Sequence, residues 1–362
     1  MSVSMLSEQL VKAGVSTAVF ATTANGKNEL PVLPGKAVNV DGVQVTYFER
    51  ITKDHTHFSP SLLKKLWRQA PGFNLIHIHA WWNLVSVLSC LIAFLRGVPV
   101  LISPRGTLSS YSFQNKNIGT KWAIHHLLGK FLLNRCDVHV TSEREKEAVA
   151  NLIHPKSITA IPNFVKLSGQ KTFAKRSASP FLRLIFFSRI EEKKGLDILI
   201  NALALVTAPF HLTIAGNGNE DYIVSLKALA ISNQVNNKIT WAGFRQDDKF
   251  ELLHQHDLFV LPSHDENFGN AVIESLSVGT PVLISEQVGL AAYVKQNTLG
   301  WICQTTALSV SSAINDIAEN HQTELLRIRE KAPDTIDNSF NENNLVKQYI
   351  ALYHQLTQND RI

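Results

Sequence analysis

The chain has 362 residues, a formal net charge of +5, 45% hydrophobic residues and 18% charged residues. This length allows two domains of ordinary size, and the composition, without low-complexity tracts or short repeats, is that of a globular protein. The most apolar stretch, residues 84–95, is too short to cross a bilayer, so we expect neither a membrane span nor a secretory signal.

Charge and cysteine content indicate which partners and which cellular compartment to expect. Residues 1–165 are net basic and the remainder is net acidic. A basic half suits an anionic partner, such as a membrane face or a phosphate-bearing acceptor, or is an ordinary soluble surface. The three cysteines have no metal-binding spacing, which suits a reducing compartment. We expect a cytoplasmic protein, with peripheral membrane contact as one option, and no nucleic acid as a partner.

Helical and strand patterns alternate along the first half, which predicts parallel strands in a doubly wound α/β sheet. The predicted helices are residues 3–13, 61–69, 84–95, 118–133 and 143–152. The predicted strands are residues 15–20, 43–48, 74–79, 98–103, 137–141 and 157–161.

Polar and aromatic residues follow one of these strands. His77 and His79 end it, where open α/β sheets place ligand-facing residues. A His-x-His pair hints at a metal, but no third ligand is in sequence reach, so we expect none. Trp81, Trp82 and Asn83 either form an aromatic platform that stacks on a sugar or pack in the core.

A polar stretch, residues 166–180, has the composition of an interdomain linker. The strands predicted after it are residues 182–187, 210–215, 238–241, 257–262, 282–285 and 299–303. The helices predicted after it are residues 196–206, 247–254, 270–278, 307–319, 324–330 and 342–356. The chain therefore predicts a second doubly wound domain.

Two carboxylates flank one of these helix starts. Glu266 lies in the loop before the helix, and Glu274 lies one to two turns into it. A helix N-terminus attracts phosphates and other anions, so one carboxylate can grip ligand hydroxyls near it and the other can bond a sugar deeper in the cleft. The alternative is a capped surface loop and an ordinary helix.

Two cations and two glycine turns are further candidates for a ligand site. Arg189 and Lys194 follow a strand at a strand–helix junction, where they can neutralise a diphosphate or form a solvated charge cluster. The turn Gly216–Asn217–Gly218 indicates a close backbone approach, although a lone Gly-x-Gly is weak evidence. A further turn, Gly243–Phe244–Arg245, follows the next strand.

The stretch SHDENFGNAVIESLSVGTPV, residues 263–282, resembles the signature of the retaining glycosyltransferases of family 4, which are GT-B enzymes with two Rossmann-like domains. The resemblance implies an acceptor-side domain over residues 1–165 and a nucleotide-sugar domain over residues 166–341. It implies that a final helix, 342–362, packs back on the first domain. Family members usually open with a central strand, whereas this sequence begins at the helix that follows it. Either the true start lies upstream of Met1, or another element fills the gap, because the neighbouring strands would otherwise be left with unpaired edges.

The resemblance also implies a function: transfer of a sugar from a UDP- or GDP-sugar, without cofactor or metal, to a carbohydrate or lipid-linked acceptor. The loops 103–109 and 265–270 resemble those of bacterial enzymes that build O-antigen, capsule or exopolysaccharide. The implied catalytic residues are Glu266, Arg189, Lys194 and Arg105. The implied donor-binding residues are Glu274, Gly216, Asn217, Gly243, Phe244, Arg245, Asn267, Phe268, Gly269 and Asn270. The implied acceptor-side residues are His79, Trp81 and Asn83, and the long loop 107–119, with the basic and aromatic residues Lys116, Lys121 and Trp122, resembles the acceptor-side region.

Arg105 marks a departure from the family, which often carries a histidine in this loop. A guanidinium can hold a phosphate or a sugar hydroxyl, but it cannot shuttle protons at neutral pH. The alternative is that Arg105 pairs with a nearby carboxylate. Two other functions stay open: a GT-B enzyme such as a nucleotide-sugar 2-epimerase or a phosphorylase, and a non-catalytic subunit that binds donor without turnover.

Overall fold

The computed structural model describes residues 2–26, 28–52, 54, 56–109, 128–167, 173 and 179–359. It divides the chain into two compact units. Unit 1 combines Met1–Phe164 with Glu342–Ile362, and unit 2 is Val165–Asn341. The predicted loop from residue 110 onward, the first ten residues of the predicted helix 118–133, and most of the predicted linker lie outside the described residues.

Unit 1 is built from short strands and helices that alternate. Its strands are β1 (Ala18–Thr22), β2 (Ala24–Asn25), β3 (Asn28–Glu29), β4 (Ala37–Val40), β5 (Val43–Phe48), β6 (Ile76–His79), β7 (Val100–Ser103), β8 (Asp137–Val140) and β9 (Ser157–Ala160). Its helices are α1 (Ser2–Lys12), α2 (Pro60–Gln69), α3 (Leu84–Leu95), α4 (Lys130–Leu133), α5 (Glu143–Leu152) and α13 (Glu342–Asn359).

The strands of unit 1 form separate sheets. One has the order β1-β5-β4, with β1 parallel and β4 antiparallel to β5, and another has the parallel order β6-β7-β8-β9. Among the described residues, no strand pairs with the second edge of β1 or of β6. This arrangement agrees with the expectation of two strands with unpaired edges. The antiparallel strand β4 and the hairpin β2–β3 were not predicted.

The last helix supplies part of the core of unit 1. Leu6 and Leu10 of α1 pack in one cluster with Leu345, Tyr349 and Leu352 of α13. Helix α13 thus returns from the far end of the sequence to bury the apolar face of the first helix. A second cluster lies between α3, α4 and the sheet β6–β9.

Unit 2 contains one parallel sheet with helices around it. Its strands are β10 (Leu182–Phe187), β11 (Phe210–Ala215), β12 (Ile239–Gly243), β13 (Leu258–Leu261), β14 (Val282–Ser285) and β15 (Gly300–Cys303). Its helices are α6 (Leu196–Leu203), α7 (Glu220–Ser232), α8 (Lys249–His254), α9 (Asn270–Ser277), α10 (Ala291–Asn297), α11 (Ala307–Asn320) and α12 (Gln322–Ser339). The strand order is β12-β11-β10-β13-β14-β15, and each pair is parallel.

The structure corrects several predicted helices in unit 2. Helices α7 and α10 were not predicted, and α12 extends well beyond the predicted 324–330. The sequence-based boundary precedes Pro333, because proline disfavours a helix interior. The helix continues through Pro333 since Leu325, Ile328, Ala332 and Ile336 along it are all buried in the core. Tertiary packing outweighs the local preference there.

Candidate active site

The order of the sheet in unit 2 reverses at β10, which has β11 on one side and β13 on the other. Ligands of open α/β sheets bind at the carboxyl ends of strands at such a switch point. The loop after β10 carries Lys194 and the loop after β13 carries Glu266. Lys194 Nζ donates to Glu266 Oε2, and the two side chains are only 6% and 19% exposed. The structure thus brings these two predicted residues together.

Backbone hydrogen bonds fix the loop that carries Glu266. The Glu266 amide donates to the Gln287 carbonyl at 3.2 Å, and the Gly289 amide donates to the Glu266 carbonyl at 2.7 Å. The His264 amide donates to the Lys193 carbonyl at 2.8 Å. The loops after β10, β13 and β14 therefore hold one another, so the carboxylate of Glu266 is presented from a defined backbone.

Glu274 forms a second lysine–glutamate pair. It lies in α9, where its side chain is 10% exposed, and its Oε1 accepts from Lys249 Nζ at 2.6 Å. Burial raises the pKa of Glu274, and the ammonium of Lys249 opposes that rise. One oxygen of the Glu274 carboxylate is therefore engaged inside the protein.

The N-terminus of α9 is built from residues with different roles. Gly269 has φ 101°, a left-handed conformation suited to glycine, and Asn270 begins the helix. The ring of Phe268 is buried and lies 6.1 Å from the ring of Phe340, so Phe268 anchors the loop in the core. Asn270 Oδ1 is buried and has no hydrogen-bond partner among the described residues. Asn267 lies in the loop just before this turn.

The glycine turn after β11 approaches the loop after β10. A Cβ at Gly216 would overlap the Ser188 carbonyl oxygen, and a Cβ at Gly218 would overlap the Ile190 carbonyl oxygen. The close approach predicted from Gly-x-Gly is therefore to the chain's own backbone. It fixes the segment that contains Arg189.

The side chain of Arg189 points to a local partner. Its Nη1 donates to Glu191 Oε1 at 2.6 Å, and the side chain is 65% exposed. The Ile190 amide donates to the Asn217 carbonyl at 2.7 Å, which holds the backbone beside it. Arg189 is thus close in sequence to Lys194, but its recorded ion pair is with Glu191.

The turn at the end of β12 is joined to the turn at the end of β11. The Gly216 amide donates to the Gly243 carbonyl at 2.8 Å. Phe244 is 63% exposed, and Arg245 forms a two-point ion pair with Asp248, in which Arg245 Nε donates to Asp248 Oδ1 at 2.9 Å. This pair closes the loop that runs into α8.

In unit 1, histidines at the sheet β6–β9 form a buried network with the last helix. His77 Nδ1 lies 2.8 Å from the Tyr353 hydroxyl, and His77 Nε2 lies 2.7 Å from Ser103 Oγ. Ser103 Oγ lies 2.6 Å from His139 Nδ1, and the Tyr349 hydroxyl oxygen lies 3.0 Å from His139 Nε2. Burial holds the pKa of His77 well below its usual range and lowers the pKa of His139 to about 3. These imidazoles are neutral at pH 7.

His79 lies beside this network at the end of β6. Its ring is 4.1 Å from the ring of His77, and its Nδ1 is buried without a hydrogen-bond partner among the described residues. Burial and the nearby Arg105 guanidinium hold the pKa of His79 well below its usual range. His79 is therefore a neutral hydrogen-bonding group at the carboxyl end of a strand, as its position in the sequence predicted.

Arg105 is fixed by contacts other than a carboxylate. It has φ 57°, an uncommon conformation for a residue with a side chain, and its Nη1 donates to Asn163 Oδ1. Among the described residues, the side-chain partner recorded for Arg105 at this nitrogen is an amide, not the carboxylate that the alternative expected. Glu145 instead accepts from the Gly106 amide at 2.7 Å and from the Thr141 amide at 2.7 Å, which fixes the Arg105 loop.

The aromatic platform expected from Trp81 is not present. Trp81 has no exposed surface and packs in the core of unit 1, so its ring cannot stack on a sugar. Asn83 caps α3, because its side chain accepts from the Ser86 amide at 2.7 Å. Asn83 also lines a cavity of about 730 Å³, together with Phe20 and Thr22 of β1 and with Arg50. Of the two interpretations of Trp81, the structure supports packing in the core.

The structure also tests the expectations about membranes and metals within its described ranges. No helix there is long and apolar enough to span a bilayer. In the same part of the chain, no group of three or more histidine, cysteine, aspartate or glutamate side chains is arranged to hold a metal ion.

Sequence reasoning missed Lys249, Glu145 and the tyrosines of α13. Lys249 is the first residue of α8, where the helix dipole disfavours a cation, and that placement is a signal of a specific partner. Glu145 stands three residues after Ser142 in the spacing of a capping box, and Ser142 Oγ accepts from the Glu145 amide at 3.2 Å. No local signal pairs Tyr349 with His139, because they are 210 residues apart.

Comparison with known proteins gives independent evidence on the family of this chain. A family model described as Glycosyltransferase Family 4 matches residues 1–168, and one described as Glycosyl transferases group 1 matches residues 170–335. The amylovoran biosynthesis glycosyltransferase AmsK of Erwinia amylovora is 25% identical over 185 residues, which are 48% of this chain and 45% of that protein. That alignment spans less than half of either protein.

Two further likenesses extend over most of the chain. The uncharacterized glycosyltransferase MJ1607 of Methanocaldococcus jannaschii is 26% identical over 350 residues, covering 87% of this chain and 85% of that protein. The crystal structure of Anabaena HepE in complex with UDP and glucose has a TM-score of 0.67 and 19% identity, with 87% of each chain covered. With glycosyltransferase models matching both halves, the chain belongs to the GT-B glycosyltransferases, a family 4 segment preceding a group 1 segment.

Proposed function

We propose that this protein is a retaining glycosyltransferase that moves a sugar from a UDP- or GDP-sugar to a carbohydrate or lipid-linked acceptor, in the synthesis of a cell-surface polysaccharide. One observation carries the proposal: two glutamates flanking the start of α9 are each paired with a lysine, buried for Glu266 and half-buried for Glu274, beside the switch point of the unit 2 sheet. A site of this kind offers cations to a diphosphate and carboxylates to sugar hydroxyls.

Each residue has a proposed role in donor binding. Lys194 and Arg189 neutralise the diphosphate, and the amides at the start of α9 add to that stabilisation. Glu266 accepts hydrogen bonds from hydroxyls of the transferred sugar, and Glu274 accepts them from the ribose. The nucleobase lies against the backbone of Gly243–Arg245, and Gly216–Gly218 holds the Arg189 loop in place. No metal or cofactor is part of the proposal.

The proposed reaction breaks the bond between the anomeric carbon and the diphosphate oxygen, and the electron pair leaves with the phosphate. The acceptor oxygen forms its bond on the same face of the sugar, and its proton passes to the departing phosphate oxygen. The products are a glycoside and a nucleoside diphosphate. Lys194 contributes most here, since charge grows on the phosphate as the bond breaks.

Unit 1 is proposed to hold the acceptor. His79, Arg105 and Asn83 lie after β6 and β7, where ligands of such sheets bind, and Arg105 can hold a phosphate or hydroxyl of the acceptor. The basic character of residues 1–165 suits a phosphate-bearing, lipid-linked acceptor at the cytoplasmic face of a membrane. The names of AmsK and of HepE, bound to UDP and glucose, support the polysaccharide and UDP parts of the proposal.

The proposal is tested by thermal shift with UDP-, GDP- and ADP-sugars, alongside Glu274→Gln and the control Glu286→Gln, which changes a carboxylate in the loop after β14. A donor at one hundred times its dissociation constant adds about 2.7 kcal/mol to stability. We expect one nucleotide to raise the melting temperature of the parent and the control, and to have little effect on Glu274→Gln. No shift with any donor would refute donor binding, and release of a 2-epimer would identify an epimerase instead.

A further inference from the structure

Lys249 is the partner of Glu274 that the proposed donor chemistry leaves without a role. The two atoms Lys249 Nζ and Glu274 Oε1 are 2.6 Å apart, and the side chains are 15% and 10% exposed. A buried carboxylate without such a partner pays a large desolvation cost and tends to become protonated. The ammonium of Lys249 therefore opposes the effect of burial and favours the charged form of Glu274.

The position of Lys249 in the chain links two parts of the site. It is the first residue of α8 and follows directly on the loop Gly243–Asp248. Asp248, the residue before it, accepts hydrogen bonds from Arg245, and this ion pair fixes the end of the loop next to Lys249. Lys249 therefore joins this loop, through the ion pair, to Glu274 in α9.

The geometry of the pair leaves room for a ligand. Lys249 occupies Oε1, and the described contacts leave Oε2 of Glu274 to accept from hydroxyl groups. A charged carboxylate can accept hydrogen bonds from both hydroxyls of a vicinal diol, whereas a protonated one must donate its own hydrogen. Ribose presents such a diol, and deoxyribose lacks half of it.

We propose that Lys249 is a positioning residue that holds Glu274 ionised and oriented toward the ribose hydroxyls, and so makes the site selective for ribonucleoside over deoxyribonucleoside diphosphates. The inference rests on the proposed function, because it presumes that Glu274 contacts the ribose of the donor. Lys249 touches neither the reacting sugar nor the phosphates in this scheme.

The test measures binding of UDP and GDP, with their 2′- and 3′-deoxy forms, by isothermal titration calorimetry. Lys249→Met removes the charge at similar length, and Lys249→Arg keeps it. Lys238→Met is the matched control, because Lys238 Nζ and Lys249 Nζ each lie 4.7 Å from the ring centroid of a phenylalanine. We expect Lys249→Met to weaken the ribonucleotide about tenfold and the deoxy form by less than about twofold, with recovery in Lys249→Arg.

The outcomes separate the inference from the function on which it rests. Equal weakening of the ribose and deoxyribose forms, or no change in either, would overturn the role of Lys249 while leaving donor binding intact. If the parent protein binds none of these nucleotides, the proposed function fails and the inference fails with it. A double-mutant cycle of Lys249→Met with Glu274→Gln in unfolding experiments must also show coupling, since uncoupled side chains cannot position each other.

Discussion

The two units both place polar side chains at the carboxyl ends of parallel strands, but the chemistry differs. In unit 2 the groups are charged and paired, Lys194 with Glu266 and Lys249 with Glu274. In unit 1 they are neutral imidazoles and hydroxyls, among them His77, and they bond to one another and to α13. A charged pair can exchange one partner for a charged ligand, whereas a closed neutral network is satisfied within the fold.

The difference teaches how to assign roles to buried polar groups. The lysine–glutamate pairs cost desolvation energy and are weak contributors to stability, which supports the proposal that they serve ligand binding. The histidine network fastens the last helix to the sheet, so it indicates a structural role. His79 and Arg105 are intermediate, because each has a buried nitrogen with no hydrogen-bond partner among the described residues.

Lys194→Ala should have the largest effect on activity. Removing a cation from the departing diphosphate should lower kcat by about 10²- to 10³-fold, the usual effect of losing one group that stabilises developing charge. Steady-state kinetics with the donor found by thermal shift would measure it. Lys193→Ala is the control, since its ammonium lies 3.8 Å from Glu191 rather than at Glu266. Equal losses in both variants would remove the distinction drawn between the charged pairs and their surroundings.

Acid should weaken unit 1 through its histidines. The pKa of His139 is lowered to about 3 in the folded protein, so the unfolded chain binds more protons below about pH 6.5. The contribution of His139 to the free energy of unfolding is therefore complete above pH 6.5 and is lost as the pH falls. At pH 5 the loss is about 2 kcal/mol for this one residue. The free energy of unfolding, measured in urea between pH 5 and 7.5, checks this.

His139→Gln should flatten that pH dependence, while His354→Gln on the exposed side of α13 should not. Arg105, His77, His79 and Tyr349 lie around His139 and would also contribute to the residual slope. An unchanged slope in His139→Gln would mean that the network is not the acid-sensitive part of unit 1.

Arg245→Ala should have the smallest effect. Its ion pair with Asp248 is about 41% and 42% exposed, and such surface pairs contribute about 0–1 kcal/mol. Because the proposed base contact uses backbone, the dissociation constant of the donor should change by less than about threefold. Calorimetry and thermal unfolding would measure both quantities. A large loss of affinity would place Arg245 among the ligand-binding charges and extend the site beyond the lysine–glutamate pairs.

Much of the fold of unit 2 could be predicted, because each strand and turn carries its own signal in the sequence. Apolar runs such as Leu258–Leu261 and Val282–Ser285 mark buried strands, and Gly269 marks the turn before the helix that carries Glu274. Lys249 escaped prediction because its partner lies 25 residues away in another helix. The sequence pattern showed the carboxylate of Glu274 but not the ammonium group paired with it.

Less of unit 1 could be predicted, because its decisive contacts are distant in sequence. His77 meets Tyr353 across 276 residues, and no periodicity reveals such a pair. Trp81 was open to two interpretations, and only the packing of α3 and α4 decides that it is buried. The antiparallel strand β4 was hidden because its residues are mostly exposed and lack the apolar signal of a core strand.

The return of α13 to unit 1 has a consequence for biosynthesis. A ribosome delivers residues 1–164 first, yet Leu6 and Leu10 are buried only when Leu345 and Tyr349 have emerged. Unit 2 is contiguous, so it can fold while the N-terminal unit still waits for its last helix. A message cut short anywhere before α13 yields a protein whose N-terminal core is open, and such a chain is a substrate for chaperones and proteases. Translation must pass through α13 before the core of unit 1 is closed.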